Sequence, residues 1–432
     1  MIFEPDSNFI ASKKFFRWYF IALVVFLFFL LAWLWVSIFY FQKNLLGIWS
    51  FTLADAPWMP PPLPALPIFA GHFFGDFQLP IAFSRLLNPY DPTFLFGAGL
   101  PITYFLFKIF TLVPLVLSFI LFLTTGLSLF FYSNFFLLRN FGDYQIRFIL
   151  TFAISFLNLP ILIAIDRGNF IIFALALLVL SIYFGLLGSL NKSGPSVHLA
   201  ALLFMLAASM KLYFIAFLIP IWLCKARLFV YLSIFYFLIG NFISALFIKL
   251  DVIYIYESVK NSLLYQTGSS DVTWLMSGVG LPSLFSNIYS IVFDIEKSAT
   301  WLTSLGWIIF LPNLTWFLLV CGFCLVKNLA LDLKIIWILS LTQFAPPVAM
   351  AYNLMWCVPS LVLLLRFMVS AKSENVMSLM SAKTLIIVST FSLLPIPSVY
   401  WRLISPGLWV VAVLFQIFFI RYYSSRTTRV TI

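Results

Sequence analysis

An all-α, polytopic membrane protein is the fold class this sequence predicts, and three observations predict it. Hydrophobic residues make up 63% of the chain and charged residues 9%, against about 25% charged in ordinary soluble domains. Apolar runs long enough to cross about 30 Å of hydrocarbon, at about 1.5 Å per residue, recur along nearly the whole length. These runs are uniformly apolar rather than alternating, so the hydrogen bonds that lipid cannot offer the backbone must be made inside helices and not around a barrel. No hydrophilic stretch is long enough for a separate soluble domain, which leaves residues 1–432 as a single integral membrane domain.

The first span, 15–41, is too long for the core of a cleavable signal and no small-residue cleavage site follows it, so it is expected to remain as a helix. Further spans are expected at 103–137, 146–165, 169–189, 198–223, 228–250, 302–326, 334–349, 353–369, 384–400 and 405–420. The total is eleven or twelve according to how 198–223 behaves. Lys211 stands in the middle of that run, with Lys192 before it and Lys225 and Arg227 after it. The run is either one crossing or a hairpin of two short helices turning at Lys211.

Lysine and arginine near spans stay on the cytoplasmic side, and the hairpin alternative gives a consistent orientation. Sixteen of the twenty-five basic residues then fall inside, among them Arg139, Arg147, Lys225, Arg227, Lys327, Lys334 and Arg366. Nine of the fourteen acidic residues, including Asp55, Asp76, Asp91, Asp166 and Asp271, fall outside. Both termini are expected in the cytoplasm and the polar chemistry on the opposite face. The same distribution accounts for the net charge of +11. One or two basic residues per loop make no stripe for nucleic acid, so none is expected as a partner.

The 53 Phe and 14 Trp are expected to be lipid-facing and interfacial bulk. Cys224, Cys321, Cys324 and Cys357 lie in or beside spans with no neighbouring His, so neither a disulfide nor a metal role is assigned to them. The outer loops hold no Asp-x-Asp pair and no compact acidic set, so neither a divalent ion nor another cofactor is expected.

Two outer loops are large. The first, 43–103, opens with Pro57, Pro60, Pro61, Pro62, Pro64 and Pro67, which run extended along the membrane surface, and continues into a mostly apolar stretch, Phe77 to Leu87, suited to an interfacial helix. Asp76 stands at the start of that stretch. A carboxylate just outside the hydrocarbon can take a proton from a polar substrate whose lipid tail stays in the bilayer, which makes Asp76 the candidate general base. Asp55 and Asp91 are its rivals on the same loop, although Asp91 in Asn88-Pro89-Tyr90-Asp91-Pro92 has the look of a turn residue. His72, four residues before Asp76, would share its face on a helix and orient the carboxylate or touch phosphate; otherwise it is a solvated loop histidine. The second loop, 251–300, with Tyr254, Tyr256, Tyr265 and Trp274, could line an acceptor groove.

Two cations and two polar residues complete the candidate set. Arg167 in Asp166-Arg167-Gly168-Asn169 heads a helix whose free N–H groups and dipole favour an anion, with Asn169 at its opening; the alternative is an interfacial arginine paired with Asp166. Lys211 costs about 2.5–3.5 kcal/mol at the centre of an apolar run. It touches phosphate, pairs with a buried acid, or marks the hairpin turn. Tyr352 could hydrogen-bond a sugar or phosphate, or pack as an interfacial aromatic.

The chain resembles the GT-C superfamily of integral membrane glycosyltransferases, most closely glycosyltransferase family 87 and the polyprenyl-phosphate-mannose-dependent mannosyltransferases. Four patterns across roughly 15–370 carry the likeness: Gly75-Asp76-Phe77 with Asn88-Pro89-Tyr90-Asp91, Asp166-Arg167-Gly168-Asn169, Lys211-Leu212-Tyr213 before Lys225-Ala226-Arg227, and the segment from Pro346 to Pro359. The resemblance implies a sugar, a hexose such as mannose, moved with inversion from a polyprenyl-phosphate carrier to a lipid-linked or glycan acceptor. It implies the bacterial plasma membrane as the location, the extracytoplasmic face as the site, and Asp76 as the base. Where such mannosyltransferases often carry a histidine near the outer end of the late helix pair, this chain has Tyr352 and Asn353. A transporter or flippase of a lipid-linked saccharide is the alternative class. Against it stand the absence of matched Gly/Pro-broken helices in two halves and a first loop larger than a carrier needs.

Overall fold

The computed structural model describes residues 100–139, 144–156, 158, 160, 161, 164, 165, 169–190, 194–247, 256, 281, 282, 284, 285, 311–326, 329–346, 351–370, 376–393 and 405–418. Among them every regular element is a helix. In chain order these are α1 (Pro101–Phe110), α2 (Leu115–Leu137), α3 (Tyr144–Phe156), α4 (Ile171–Leu190) and α5 (Gly194–Met210). A 3-10 helix (Leu212–Phe217), α6 (Leu218–Leu223), α7 (Arg227–Phe247), α8 (Leu311–Leu325) and α9 (Leu331–Phe344) follow. A second 3-10 helix (Ala351–Trp356) leads into α10 (Cys357–Ser370), then α11 (Val376–Leu393) and α12 (Ser405–Phe418).

Three of these helices are long and apolar enough to cross a membrane by length and composition: Leu117–Leu137 within α2, Ile171–Ser189 within α4, and all of α7. The other apolar helices run 10–17 residues, so a count of eleven or twelve full-length spans is not what the described residues display. The differences have local causes. The run expected as one span at 103–137 is two helices, because Pro114 caps α2 and Ser118 turns its hydroxyl back to the carbonyls of Phe110 and Val113. The run 146–165 stops at Phe156, where Asn158 donates to the carbonyls of Ile154 (3.0 Å) and Ser155 (3.2 Å) and accepts from the N–H of Ile161 (3.0 Å). One side chain thus closes one helix and opens the next turn, ahead of Pro160.

The run 198–223 takes the hairpin form. α5 starts beside the C-terminal end of α4, where a Cβ on Gly188 would lie 2.9 Å from Val197, and rises to Met210. Lys211 is extended (φ −136°, ψ 92°), and the 3-10 helix with α6 then runs back to Cys224, with α6 packed against α8. About 17 residues of α helix going up, at 1.5 Å each, are answered by a descending limb of similar reach.

α4 and α9 form the centre. In the apolar window of α4, 83% of residues are buried, against 33% for α2 and 28% for α7, and α9 is buried from Asp332 through Phe344 except at Lys334. Outer faces such as Leu228, Tyr231, Phe235, Leu238, Phe242 and Leu246 of α7 point away from the bundle. Helices whose outer faces are as apolar as their inner ones gain by close approach rather than by leaving water. Small residues set that approach: Ala174, Ala176, Ala200, Ala201, Ala207 and Ala208 are fully buried in the core, and Ser181 donates to the carbonyl of Ala200 at 2.8 Å. Gly185 lets the Phe229 ring of α7 lie on the α4 backbone, with a would-be Cβ only 2.7 Å from the ring. A Gly185→Val protein is therefore expected to lose about 1–3 kcal/mol by overpacking, seen as a lower unfolding temperature in detergent; an unchanged melt would show that the ring moves freely.

Not all tryptophans are interfacial, contrary to the expectation from composition. Trp316, Trp337, Trp356 and Trp409 are buried together. Three of them donate to internal acceptors: Trp316 to Ser340 (2.9 Å), Trp356 to Gln343 (3.2 Å) and Trp409 to Ser392 (3.1 Å). Indole N–H groups find partners when buried, and here the serines and the glutamine supply them.

The two ends of the bundle differ. At one, Arg366 pairs with Asp332 at 3.2 Å and lies 4.8 Å from the centre of the Tyr183 ring, which Arg139 approaches to 5.8 Å. Lys334, in the same first turn as Asp332, donates to the carbonyl of Cys324 at 2.9 Å. Residues the sequence assigns to one face thus meet through direct contacts between α2, α4, α8, α9 and α10. The other end carries Lys211.

Candidate functional site

Lys211 is placed by a break in the backbone. Its N–H still bonds the carbonyl of Ala207 (3.0 Å) and its own carbonyl receives the N–H of Phe214 (2.9 Å), so the residue joins α5 to the 3-10 helix while turning out of both. Its side chain is half-buried, with Nζ 4.4 Å from the centre of the Phe170 ring. A cation on an aromatic face gains about 0.5–2 kcal/mol, more as water is excluded.

Phe170 belongs to the opening turn of α4 and is held from behind by an aromatic cluster. Phe107 of α1 meets it edge-on at 6.2 Å, Phe122 of α2 lies 5.8 Å from Phe107, and Phe173 lies 4.9 Å from Phe122. Phe107, Phe119 and Phe122 form a small core of their own beneath the turn that joins α1 to α2. The ring under the ammonium is thereby fixed.

A polar knot anchors the other side. Ending α5 at Met210 leaves its last carbonyls without helical partners. The carbonyl of Ser209 is taken up by the hydroxyl of Thr103 at 2.7 Å and the N–H of Leu100 at 3.5 Å. Asn241 of α7 donates to the Ser209 hydroxyl at 2.9 Å and accepts from the N–H of Ile102 at 3.4 Å. Leu100 to Thr103 end the stretch that the sequence predicts as the first outer loop, and they are tied to Ser209, two residues before Lys211.

Asn169 is buried, and its Oδ1 accepts the N–H of Ile171 at 2.9 Å, while its own N–H bonds the carbonyl of Ala164 at 2.9 Å. It is the N-cap of α4. That geometry accounts for the asparagine by its role at the start of the helix.

Of the residues singled out in the sequence, Lys211 and Asn169 are brought to the same end of the bundle, joined through Phe170. Tyr352 is in the second 3-10 helix, which packs on α9 and α4 while the first 3-10 helix also packs on α9; its side chain lies outside the described residues. Asp76, His72 and Arg167 lie outside the described residues, as do Asp55, Asp91 and Asp166. Phe170, Thr103, Ser209 and Asn241 were missed. Phe170 was detectable in principle, as the residue directly after the Asn169 cap. The other three are ordinary small polar residues whose meeting depends on three distant helices. Among the described residues no group of His, Cys, Asp or Glu has the arrangement to hold a metal ion.

The arrangement offers a positive charge on an aromatic floor, beside a helix N-terminus. Such a place suits a phosphate carried by an apolar tail. Compared with family models, with curated proteins and with solved structures, the chain gives no match.

Proposed function

We propose that the chain is a polytopic membrane glycosyltransferase of the GT-C kind, taking a hexose such as mannose from a polyprenyl phosphate to a lipid-linked or glycan acceptor on the extracytoplasmic face. One observation carries the reading: the Lys211 ammonium sits over Phe170 at the turn of a hairpin whose Ser209 carbonyl accepts from Thr103, in the stretch that follows Asp76 in sequence. In this mechanism Asp76 accepts the proton of the acceptor hydroxyl as that oxygen attacks the anomeric carbon. The bond from that carbon to the phosphate oxygen breaks on the opposite side, giving inversion. The departing lipid phosphate needs no general acid, since its added charge is held by Lys211, by Arg167 and by the N-terminal dipole of α4. Apolar helix faces around the site receive the polyprenyl tail sideways, and His72 and Tyr352 stand as further contacts to the phosphate or sugar. The concentration of basic residues at the Arg366 end supports a cytoplasmic location for that end.

The test is transfer of radiolabelled sugar from polyprenyl phosphate in vesicles holding the full-length protein. A Lys211→Met protein is expected to transfer about 10- to 100-fold less, the scale of one lost charge-assisted contact of about 1.5–3 kcal/mol. Lys211→Arg should recover part of that loss. Lipid translocation without transfer in the wild type would replace this reading by a flippase of lipid-linked saccharide.

A further inference from the structure

At the end opposite Lys211, arginines from three parts of the chain converge on aromatic rings. Arg139, just past the end of α2, is exposed and lies 4.9 Å from the centre of the Phe136 ring and 5.8 Å from that of Tyr183. Arg366 of α10 lies 4.8 Å from the same Tyr183 centre. Arg147 of α3 is half-buried, 3.7 Å from the centre of the Phe135 ring, and its Nη1 donates to the carbonyl of Arg139 at 3.2 Å. α10 packs on both α2 and α3, so the guanidiniums gather where α2, α3, α4 and α10 meet. Among the described residues Asp332 is the one carboxylate, and Arg366 takes it, which leaves Arg139 and Arg147 without an acidic partner among them.

We propose that Arg139 and Arg147 hold the phosphate of an anionic phospholipid whose acyl chains lie along the seam between α2 and α3. Topology asks only that basic residues stand near one end of a bundle; it does not ask that they be fixed in place. Here each guanidinium is laid on a ring, which occupies its face and leaves the N–H groups at its planar edge for an oxyanion. Hydrogen bonds from arginine to phosphate are charge-assisted, and basic pockets between membrane helices take anionic headgroups. Two like charges joined through one backbone carbonyl repel each other where water is partly excluded, and a phosphate between them offsets that repulsion. The seam supplies the rest of the lipid's needs. Phe131 of α2 lies 5.3 Å from Phe148 and 6.0 Å from Phe156 of α3, with Phe152 5.0 Å from Phe156. Phe148 and Phe152 are exposed, so an apolar chain running from the arginines finds an aromatic wall. That wall favours a lipid over a free phosphate. The geometry stands apart from the sugar-transfer reading and does not require it.

The experiment places the full-length protein in phosphatidylcholine vesicles doped with phosphatidylglycerol that carries a diazirine in one acyl chain, irradiates them, and maps the labelled peptides. The expected label falls between Phe131 and Phe156 and is displaced by excess unlabelled phosphatidylglycerol, but not by phosphatidylcholine or by glycerol phosphate. Arg139→Gln with Arg147→Gln should weaken that labelling about 10- to 30-fold. Lys225→Gln with Arg227→Gln, which removes the same charge from the turn into α7, should leave it unchanged. Label spread evenly over the exposed helix faces, displacement by phosphatidylcholine, displacement by glycerol phosphate as readily as by the lipid, or equal loss in the two double variants would each overturn the assignment. The wild-type map needs no substitution, so a variant that fails to fold does not affect the result.

Discussion

An Asp76→Asn protein is expected to keep its fold and its donor lipid yet transfer sugar about 10² to 10⁴ times more slowly, the usual contribution of a positioned general base. Asparagine preserves the size of the side chain and removes only its ability to take a proton. The loss should therefore appear in kcat, with KM for the donor little changed, because the proposed mechanism gives the lipid phosphate to Lys211 and Arg167 rather than to the carboxylate. The contrast with Lys211→Met is diagnostic, since removing the cation weakens both the bound donor and the departing anion. Vesicle assays with varied donor concentration separate the two. Transfer by Asp76→Asn at more than a tenth of the wild-type rate would pass the role of base to Asp55 or Asp91, which the same substitution can then examine.

The largest effect on stability is expected at the far end. Arg366→Ala leaves Asp332 inside the bundle without the partner now 3.2 Å away and strips the cation from the Tyr183 ring. Breaking a buried pair from one side costs about 3–5 kcal/mol, because the remaining charge keeps its desolvation penalty and loses its compensation. The two side chains are only 16% and 10% exposed, so water relieves little of this. The double replacement Arg366→Met with Asp332→Leu should recover most of the loss, as apolar groups of similar volume need no partner. Unfolding in graded denaturant, in the same detergent for all three proteins, reads both effects. A single mutant within 1 kcal/mol of wild type, or a double mutant no better than the single, would mean that Asp332 is neutralised by other means.

The fold class was legible because it rests on composition and run length, which no tertiary detail can reverse. The turn at Lys211 was half legible: a lysine inside an apolar run announces a discontinuity, and basic residues on both flanks favoured a return over a crossing. Breaks at Pro114 and Asn158 were overlooked because hydropathy counts apolar side chains and ignores which carbonyls a serine or asparagine can reach. The buried tryptophans escaped for a related reason. An indole N–H can leave the interface where an internal acceptor meets it, and Ser340, Gln343 and Ser392 cannot be matched to Trp316, Trp356 and Trp409 without knowing which helices touch. The candidate site divides in the same way. Lys211 and Asn169 carry local signals, a charge in a greasy run and a capping residue, whereas Thr103, Ser209 and Asn241 acquire meaning only when α1, α5 and α7 converge.

The bond from Thr103 to Ser209 spans 106 positions of the chain, and that separation has a consequence for biosynthesis. At about 5–20 residues per second, α1 emerges roughly 5–20 s before the residue it must grip. During that interval Leu100 to Thr103 have no α5 to clasp, so the Lys211 end of the bundle is assembled only after α5 has been made and inserted. A ribosome-bound chain truncated shortly after α1 would contain every residue ahead of Thr103, Asp76 among them, and still lack the carbonyl that Thr103 bonds.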